Sequence, residues 1–234
     1  MNNPVKFISG RLIKRYKRFF ADVKLDSGEV VTAHCPNTGS MMGLLTEGNI
    51  VYLSKTDNEK RKLKYTLEII RDKGASVGVN THRANRIVEK AIIEKKISTL
   101  GKKYDYRREV KYGKNSRIDF LITNKKGEEI FLEVKNVTLS KRKGVAEFPD
   151  AITERGSKHL LELIDVVKKN KRAIMLFLVQ RDDCKKFRIA EEIDSIYKQN
   201  IMNAMKAGVE ILCYGCSFVR NNIELDKKIK FIDK

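Results

Sequence analysis

Apolar residues recur at every second position between residues 117 and 137, in the sequence RIDFLITNKKGEEIFLEVKNV. This period is typical of β-strands, because successive side chains of a strand point to opposite faces. Residues 125–127, Lys-Lys-Gly, separate two strand-like runs and suit a three-residue hairpin loop with the glycine in the left-handed conformation. The apolar residues that this hairpin pairs across one face are Ile122 with Ile130, Phe120 with Leu132, and Ile118 with Val134.

The same register places two carboxylates, Asp119 and Glu133, side by side, with Lys135 two residues further along on the same face. A slip by one residue would set apolar side chains against charged ones, so the register is well specified. Adjacent carboxylates repel each other unless a cation lies between them, and Mg²⁺ or Mn²⁺ suits oxygen ligands of this kind. The pattern therefore predicts a divalent-metal site, with a solvated surface pair of Glu133 and Lys135 as the alternative.

The N-terminal part of the chain has the pattern of a small all-β domain. Five strand-like segments within residues 1–73 predict a partly open barrel of the OB type. These segments are Val5–Ile13, Phe19–Leu25, Val30–His34, Ile50–Leu53 and Lys64–Ile70. Residues 74–78, GASVG, are interpreted as a linker, which predicts an OB-like domain over residues 1–78 and a second domain over residues 79–234.

The second domain alternates helical and strand patterns in the order α-β-β-β-α-β-α-β, which predicts an α/β fold with a mixed sheet flanked by helices. Its predicted helices run from Thr81 to about Ile97, from Pro149 to about Lys169, and from Asp194 to Gly208. In the second helix Ile152 is expected on the buried stripe. Residues 139–147, LSKRKGVAE, are expected to form a basic loop.

The formal net charge is +19, with +6 over residues 1–80 and +13 over the rest, so the excess is not confined to a tail. Such a charge indicates a polyanionic partner, nucleic acid first and an anionic membrane second. Basic and aromatic residues interleave near the N-terminus, as a groove that tracks a nucleic-acid backbone would require, although an exposed loop with solvated charges is an equal alternative. The candidate DNA-binding residues are Arg11, Lys14, Arg15, Tyr16, Lys17, Arg18, Lys141, Arg142, Arg155 and Lys158.

The cysteines and apolar segments indicate a soluble cytoplasmic protein. The CxxC pair Cys213 and Cys216 lies in a predicted strand, where positions three apart point to opposite faces, so reduced cysteines are favoured over a zinc site. The first residues, MNNPVKF, lack the apolar core of a signal peptide. The longest apolar run, Ala173 to Val179, is too short to cross a bilayer, so no membrane association is expected.

Four segments resemble the sugar fermentation stimulation protein family, SfsA, and the resemblance runs over most of the chain. They are HCPNTGSM (34–41), RIDF (117–120), EVKNVTL (133–139) and FPDAITERGSKHLLEL (148–163). The resemblance implies an OB-like domain, a restriction-endonuclease-like domain with a PD-(D/E)XK core, and DNA binding linked to the regulation of sugar (maltose) metabolism.

The nuclease motif, carried over to this chain, implies that Asp119 and Glu133 are metal ligands and that Lys135 is the catalytic lysine. Ile118 stands where that motif has its proline. A further carboxylate is expected from a preceding element, with Glu109 as first choice and Glu89 as second. Three functions remain open: a Mg²⁺- or Mn²⁺-dependent nuclease, a DNA-binding transcriptional regulator without catalysis, and an enzyme that acts on RNA.

Overall fold

The structure is a computed structural model that describes residues 6–113, 116–219 and 222–233. Its helices are α1 (His82–Ile93), α2 (Glu154–Lys168) and α3 (Ser195–Ala207). Its strands are β1 (Phe7–Tyr16), β2 (Phe20–Leu25), β3 (Val30–His34), β4 (Ile50–Lys55), β5 (Tyr65–Asp72), β6 (Ala75–Gly78), β7 (Tyr104–Tyr112), β8 (Ser116–Asn124), β9 (Glu129–Val137), β10 (Leu139–Arg142), β11 (Val145–Phe148), β12 (Arg172–Val179), β13 (Lys186–Ile189), β14 (Glu210–Val219), β15 (Asn222–Lys228) and β16 (Lys230–Phe231).

Strands β1 to β5 form a closed barrel, which confirms the prediction of an OB-type domain. The strand order is β3-β2-β1-β4-β5, and a short parallel pairing of β3 with β5, at Ala33–Tyr65 and His34–Thr66, closes the circle. Alternating residues of each strand, such as Val51 and Leu53, fill the interior. The first strand begins at Phe7 in the structure, and the expected start at residue 5 lies outside the described residues.

The predicted linker at residues 74–78 is instead strand β6, so this part of the prediction is wrong. All four residues of β6 are buried, and they pair with β5 at the edge of the barrel. Beyond the barrel, the Gly78 amide donates to the carbonyl oxygen of Gln180 at 2.9 Å, and the Ser76 amide donates to the Asp182 carboxylate at 2.9 Å. The segment therefore fastens the barrel to the rest of the chain through backbone hydrogen bonds, a role that its short glycine-rich sequence does not reveal.

The second sheet is mixed and has the strand order β15-β14-β12-β9-β8-β7. Strand β12 runs parallel to both of its neighbours, β9 and β14, and is almost entirely buried because helices cover both faces of the sheet. Helix α1 covers one face, and helices α2 and α3 cover the other. Cys213 and Cys216 belong to opposite cores, as predicted for positions three apart in a strand.

Two helix boundaries differ from the expected ones. Helix α1 ends at Ile93 rather than near Ile97, and Lys95 just beyond it has a positive φ of 57°. Helix α2 begins at Glu154, because the side chain of Thr153 accepts a hydrogen bond from the Gly156 amide and caps the helix. Ile152 precedes that cap and is 75% exposed, so it is not part of the buried stripe.

Residues 139–147, expected to be a loop, contribute to the hairpin of β10 and β11. This hairpin belongs to a small sheet with the order β10-β11-β13-β16, in which β11 and β13 are parallel. The pairing joins residues about forty positions apart, so the local sequence pattern contains little trace of it. No helix in residues 6–113, 116–219 and 222–233 combines the length and the apolar character that crossing a membrane requires.

Candidate active site

The hairpin of β8 and β9 has the predicted register, and its ladder ends at the candidate site. Phe120 pairs with Leu132 and Ile122 pairs with Ile130, as the loop and the apolar pattern predict. Pairing stops beyond Phe120, and the next contact is made by a side chain: the Val134 amide donates to Asp119 Oδ2 at 2.7 Å. The Asp119 carboxylate thus takes the place of a backbone acceptor where the two strands separate.

The expected packing of Ile118 is wrong because β8 is irregular at Asp119. Ile118 packs in the core on the α2 side, whereas Phe120 and Ile122 pack in the core on the α1 side. Residues two apart in a regular strand share a face, so the face must change between Ile118 and Phe120. The pairing of β7 with β8 also omits the position of Asp119, where Glu109 lies opposite.

Asp119 is held from both sides and is largely withdrawn from water. Its Oδ1 accepts a hydrogen bond of 2.7 Å from Asn85 Nδ2 on helix α1, while its Oδ2 accepts from Val134. Burial raises the pKa of Asp119 to about 6, and the charge of Glu133 acts in the same direction. The two hydrogen bonds act in the opposite direction but do not cancel the rise.

Glu133, Lys135 and His159 form a buried network on the α2 side of the sheet. Lys135 Nζ donates to Glu133 Oε1 at 2.7 Å and lies 3.0 Å from His159 Nδ1, which also contacts Glu133 Oε1. Burial acts to raise the pKa of Glu133, but the hydrogen bond with His159 and the charge of Lys135 outweigh it, and the pKa is lowered. Within the described part of the chain, Glu133 Oε2 is buried and has no hydrogen-bond partner.

A third carboxylate, that of Glu162 on helix α2, acts on the same buried Tyr112 hydroxyl as Glu133 and Asp119. Its two oxygens are buried without a hydrogen-bond partner among the described residues, and Lys158 Nζ lies 3.9 Å from Oε1. Burial raises the pKa of the nearby Tyr112 hydroxyl far above its ordinary value. The carboxylates of Glu133, Glu162 and Asp119 raise it further. Three acidic side chains therefore act on one buried phenol at this end of the sheet.

Neither Glu109 nor Glu89 forms a hydrogen bond with Asp119 or Glu133 among the described residues, although Glu109 lies opposite Asp119 in the register of β7 and β8. Glu109 is exposed and has a positive φ of 52°, and no hydrogen bond in the described ranges joins it to Asp119. Glu89 accepts hydrogen bonds from Arg108 at 2.8 Å and from the Tyr106 hydroxyl at 3.2 Å. In residues 6–113, 116–219 and 222–233, no three His, Cys, Asp or Glu side chains are already arranged as a metal-binding set.

The candidate DNA-binding residues have different environments. The Arg15 guanidinium donates to the carbonyl oxygens of Arg18, Asn37 and Gly39 and thus holds two loops of the barrel. Lys141 forms an ion pair with Glu192. The exposed members of the set are Arg11, Lys14, Tyr16, Lys17, Arg18, Lys141, Arg142, Arg155 and Lys158.

Sequence reasoning did not identify three side chains at this site: Asn85, His159 and Glu162. A signal existed for the two on helix α2, because they lie three residues apart beside the buried Leu160 and Leu163. Polar residues at such positions face the core and need partners there. No comparable signal marks Asn85, whose role depends on where helix α1 crosses the sheet.

Comparisons with known proteins match nearly the whole chain. A family model described as "Sugar fermentation stimulation protein RE domain" matches residues 82–222, and one described as "SfsA N-terminal OB domain" matches residues 13–79. The "Sugar fermentation stimulation protein homolog" of Pelagibacter ubique is 54% identical over 97% of each chain. The homolog of Maricaulis maris is 50% identical over 92% of each chain. A solved structure of Pyrococcus furiosus SfsA in complex with Ca²⁺ has a TM-score of 0.88 at 27% identity, covering 97% of this chain and 96% of that one.

Proposed function

We propose, from the premise that this chain belongs to the sugar fermentation stimulation protein family, that it binds DNA and carries a divalent-metal-dependent phosphodiester site. The observation that carries the proposal is the convergence of Asp119 and Glu133 at the end of the β8–β9 ladder, beside Lys135. Two carboxylates that can hold a metal ion and an ammonium group that can stabilise developing negative charge suit the hydrolysis of a phosphodiester. The positive charge of the chain suits a polyanionic substrate.

The donor set fits a hard divalent cation such as Mg²⁺ or Mn²⁺. Such cations are often bound by one or two carboxylates and keep their remaining positions for water and substrate phosphates. Asp119 and Glu133 would supply the carboxylates, and the buried Oε2 of Glu133 lacks a partner in the described structure. We propose Glu162, rather than Glu109, as the further carboxylate, because its oxygens are also buried without a hydrogen bond. The Ca²⁺ complex of the Pyrococcus furiosus relative supports a cation site in this family.

When bound, the cation would neutralise the carboxylates and polarise the phosphate. The side chains of this chain would then have separate tasks. Lys135 would contribute positive charge next to the scissile phosphate, since charge develops on the phosphate oxygens during transfer. His159 would hold Glu133 in position by donating from Nδ1 to Oε1, beside Lys135. Asn85 would orient Asp119 through its bond to Oδ1.

A second candidate function is DNA binding without cleavage, as a transcriptional regulator on a nuclease-derived scaffold. The closed network of Glu133, Lys135 and His159 favours it, because Lys135 already compensates the charge of Glu133 without any metal. The absence of a ready-made three-ligand set among the described residues favours it as well. A link to sugar metabolism is part of the proposal only through the names of the relatives.

The test combines cleavage with metal binding. Plasmid, single-stranded DNA and RNA would be incubated with the protein and Mg²⁺ or Mn²⁺, and binding of either metal would be followed by calorimetry. We expect cleavage in the parent, loss of both cleavage and metal binding in Asp119→Asn, and loss of cleavage alone in Lys135→Ala. Glu59→Gln, an exposed change in the barrel, is the charge-matched control. Metal binding without any cleavage would favour the regulator.

We also propose a division into two domains near residue 79 and a location in the cytoplasm. Val77 and Val79 pack in the barrel core, whereas Ala84 packs against the second sheet. The four cysteines are free and buried, which suits a reducing compartment.

A further inference from the structure

A cleft of about 490 Å³ lies where the barrel meets the start of helix α1. Its walls come from strands β3, β4 and β5, from the barrel segment around residue 61, and from the first turns of α1. Six basic residues line it: His34, Lys55, Arg61, His82, Arg83 and Arg86. We call this feature the junction cleft. None of these six residues is among the candidate DNA-binding residues that the sequence pattern predicts.

The junction cleft contains one acidic side chain, and the protein already compensates it. Glu68 is 3% exposed and accepts hydrogen bonds from Arg83 Nε, from Ser54 Oγ at 2.6 Å and from Asn80 Nδ2 at 2.9 Å. Arg83 and Glu68 therefore cancel as charges. A buried carboxylate held by three donors is a structural element and repels an incoming anion little.

The remaining arginine and lysine side chains of the cleft have no acidic partner among the described residues, so their positive charge can act on a ligand. Lys55 and Arg86 are exposed, and Arg61 is half-buried with Nη2 donating to Thr66 Oγ1 at 3.1 Å. Throughout the described ranges, no carboxylate oxygen lies within 4.0 Å of the charged groups of Lys55, Arg61 or Arg86. Three positive side chains of the junction cleft are therefore without a carboxylate partner in the part of the chain that the structure describes.

Helix α1 connects the junction cleft directly to the candidate active site. Arg86 lines the cleft, and its neighbour Asn85 donates to the Asp119 carboxylate. At the start of the same helix, the Thr81 hydroxyl donates to the Pro36 carbonyl oxygen at 2.6 Å and fixes α1 against the barrel. One rigid element thus holds the basic cleft and the carboxylate site in a constant relation.

We propose that the junction cleft binds the phosphodiester backbone of the nucleic-acid strand that is presented to Asp119 and Glu133. The inference rests on the proposed function, and it names the surface that holds the substrate. Lys55 and Arg86 contact phosphates from opposite walls, one on the barrel and one on α1, so the strand lies between the two domains. Positive side chains without carboxylate partners bind phosphates because each contact releases condensed counterions from the nucleic acid.

The experiment measures oligonucleotide affinity of the full chain in chelator, where cleavage cannot occur. Lys55→Ala/Arg86→Ala removes two exposed charges; neither forms an ion pair in the described ranges, and Lys55 Nζ lies 5.7 Å from the centre of the Tyr65 ring. Lys125→Ala/Lys126→Ala removes the same charge from the exposed loop at the other end of the β8–β9 hairpin and is the matched control. Fluorescence anisotropy with labelled single-stranded and duplex 20-nucleotide probes, repeated over a range of salt concentrations, gives both the affinity and its salt dependence.

Two lost phosphate contacts reduce the salt slope by about 1.4 for a single strand and about 1.8 for a duplex. Extrapolation to 0.1 M salt gives a loss of affinity of about 25-fold and about 60-fold, respectively. We expect this loss in the cleft variant and less than a third of it in the control. Equal losses in both variants, or parental affinity in the cleft variant, would overturn the proposal. Binding of inorganic phosphate in the cleft with no effect on oligonucleotide affinity would also overturn it.

The junction cleft and the proposed metal site can be tested independently of each other. Asp119→Asn tests the metal site and leaves the cleft intact, so it is expected to bind the probes in chelator at least as well as the parent. If Asp119→Asn has no effect on metal binding but the cleft variant loses affinity, the phosphodiester site fails and the cleft stands. If the cleft variant binds normally but Asp119→Asn abolishes metal binding, the cleft proposal fails and the phosphodiester site stands.

Discussion

Lys135→Met isolates the electrostatic role of the buried network. The side chain of Lys135 is 14% exposed and that of Glu133 is 4% exposed, so the substitution leaves a carboxylate almost without solvent. Breaking a buried ion pair from one side costs about 3–5 kcal/mol in the free energy of unfolding. Because Lys135 retains some solvent contact and His159 stays beside Glu133, we expect the lower end of that range, about 3 kcal/mol.

For a chain of this size, about 3 kcal/mol corresponds to a fall in Tm of roughly 6–12 °C. The measurement is thermal unfolding in chelator at pH 7, followed by circular dichroism. Adding Glu133→Gln to Lys135→Met removes the stranded charge, so the double variant should recover much of the loss. Mn²⁺ should also raise the Tm of Lys135→Met more than that of the parent, because a cation then replaces the missing ammonium group.

The pH dependence of the stability gives an independent check that Lys135 stabilises the charged form of Glu133. In the parent, the pKa of Glu133 is lowered, so its contribution to stability is present above the ordinary glutamate pKa and is lost as the pH falls through the lowered value. In Lys135→Met the charge of Lys135 no longer lowers this pKa, so the pKa of Glu133 should be higher than in the parent although the hydrogen bond with His159 remains. The difference in Tm between variant and parent should therefore shrink as the pH falls from 7 to 4.

Lys126→Met, in the exposed hairpin loop, is the control and should change the free energy of unfolding by no more than about 0.5 kcal/mol. The reasoning is refuted if Lys135→Met melts like the parent. It is also refuted if Glu133→Gln adds a further loss to Lys135→Met, since Glu133 would then not be the group that Lys135 compensates.

Three further predictions concern Glu162, Arg15 and the net positive charge of the chain. Glu162→Gln should reduce the rise in Tm that Mn²⁺ produces, whereas Glu109→Gln should leave it unchanged; equal behaviour in paired melts would remove Glu162 from the site. Arg15→Ala should lower the free energy of unfolding by about 2 kcal/mol, because its guanidinium holds three carbonyl oxygens, while Arg18→Ala should have little effect in urea titrations. Oligonucleotide affinity of the parent should fall with salt at a logarithmic slope of roughly −4 or steeper, and affinity independent of salt would exclude backbone contacts as the main source of binding.

Local sequence alone determined the geometry of the central hairpin. The loop Lys125-Lys126-Gly127 and the alternation of apolar residues specify one register, and the observed pairs of Phe120 with Leu132 and Ile122 with Ile130 confirm it. The reason is that turn geometry and side-chain period act over a few residues and agree with each other. The five barrel strands and the cap of helix α3 at Asp194 were predictable on the same local grounds.

Only the tertiary structure decided what surrounds that hairpin. The ladder ends at Asp119 because its carboxylate accepts the Val134 amide, and this contact turns Ile118 to the other core. His159 and Asn85 reach the site from two helices whose positions depend on packing across the whole sheet. Contacts between residues far apart in the chain leave no periodic signal, since each depends on the simultaneous position of several elements. The sequence therefore specified the two carboxylates, and the fold specified the partners that set their charge.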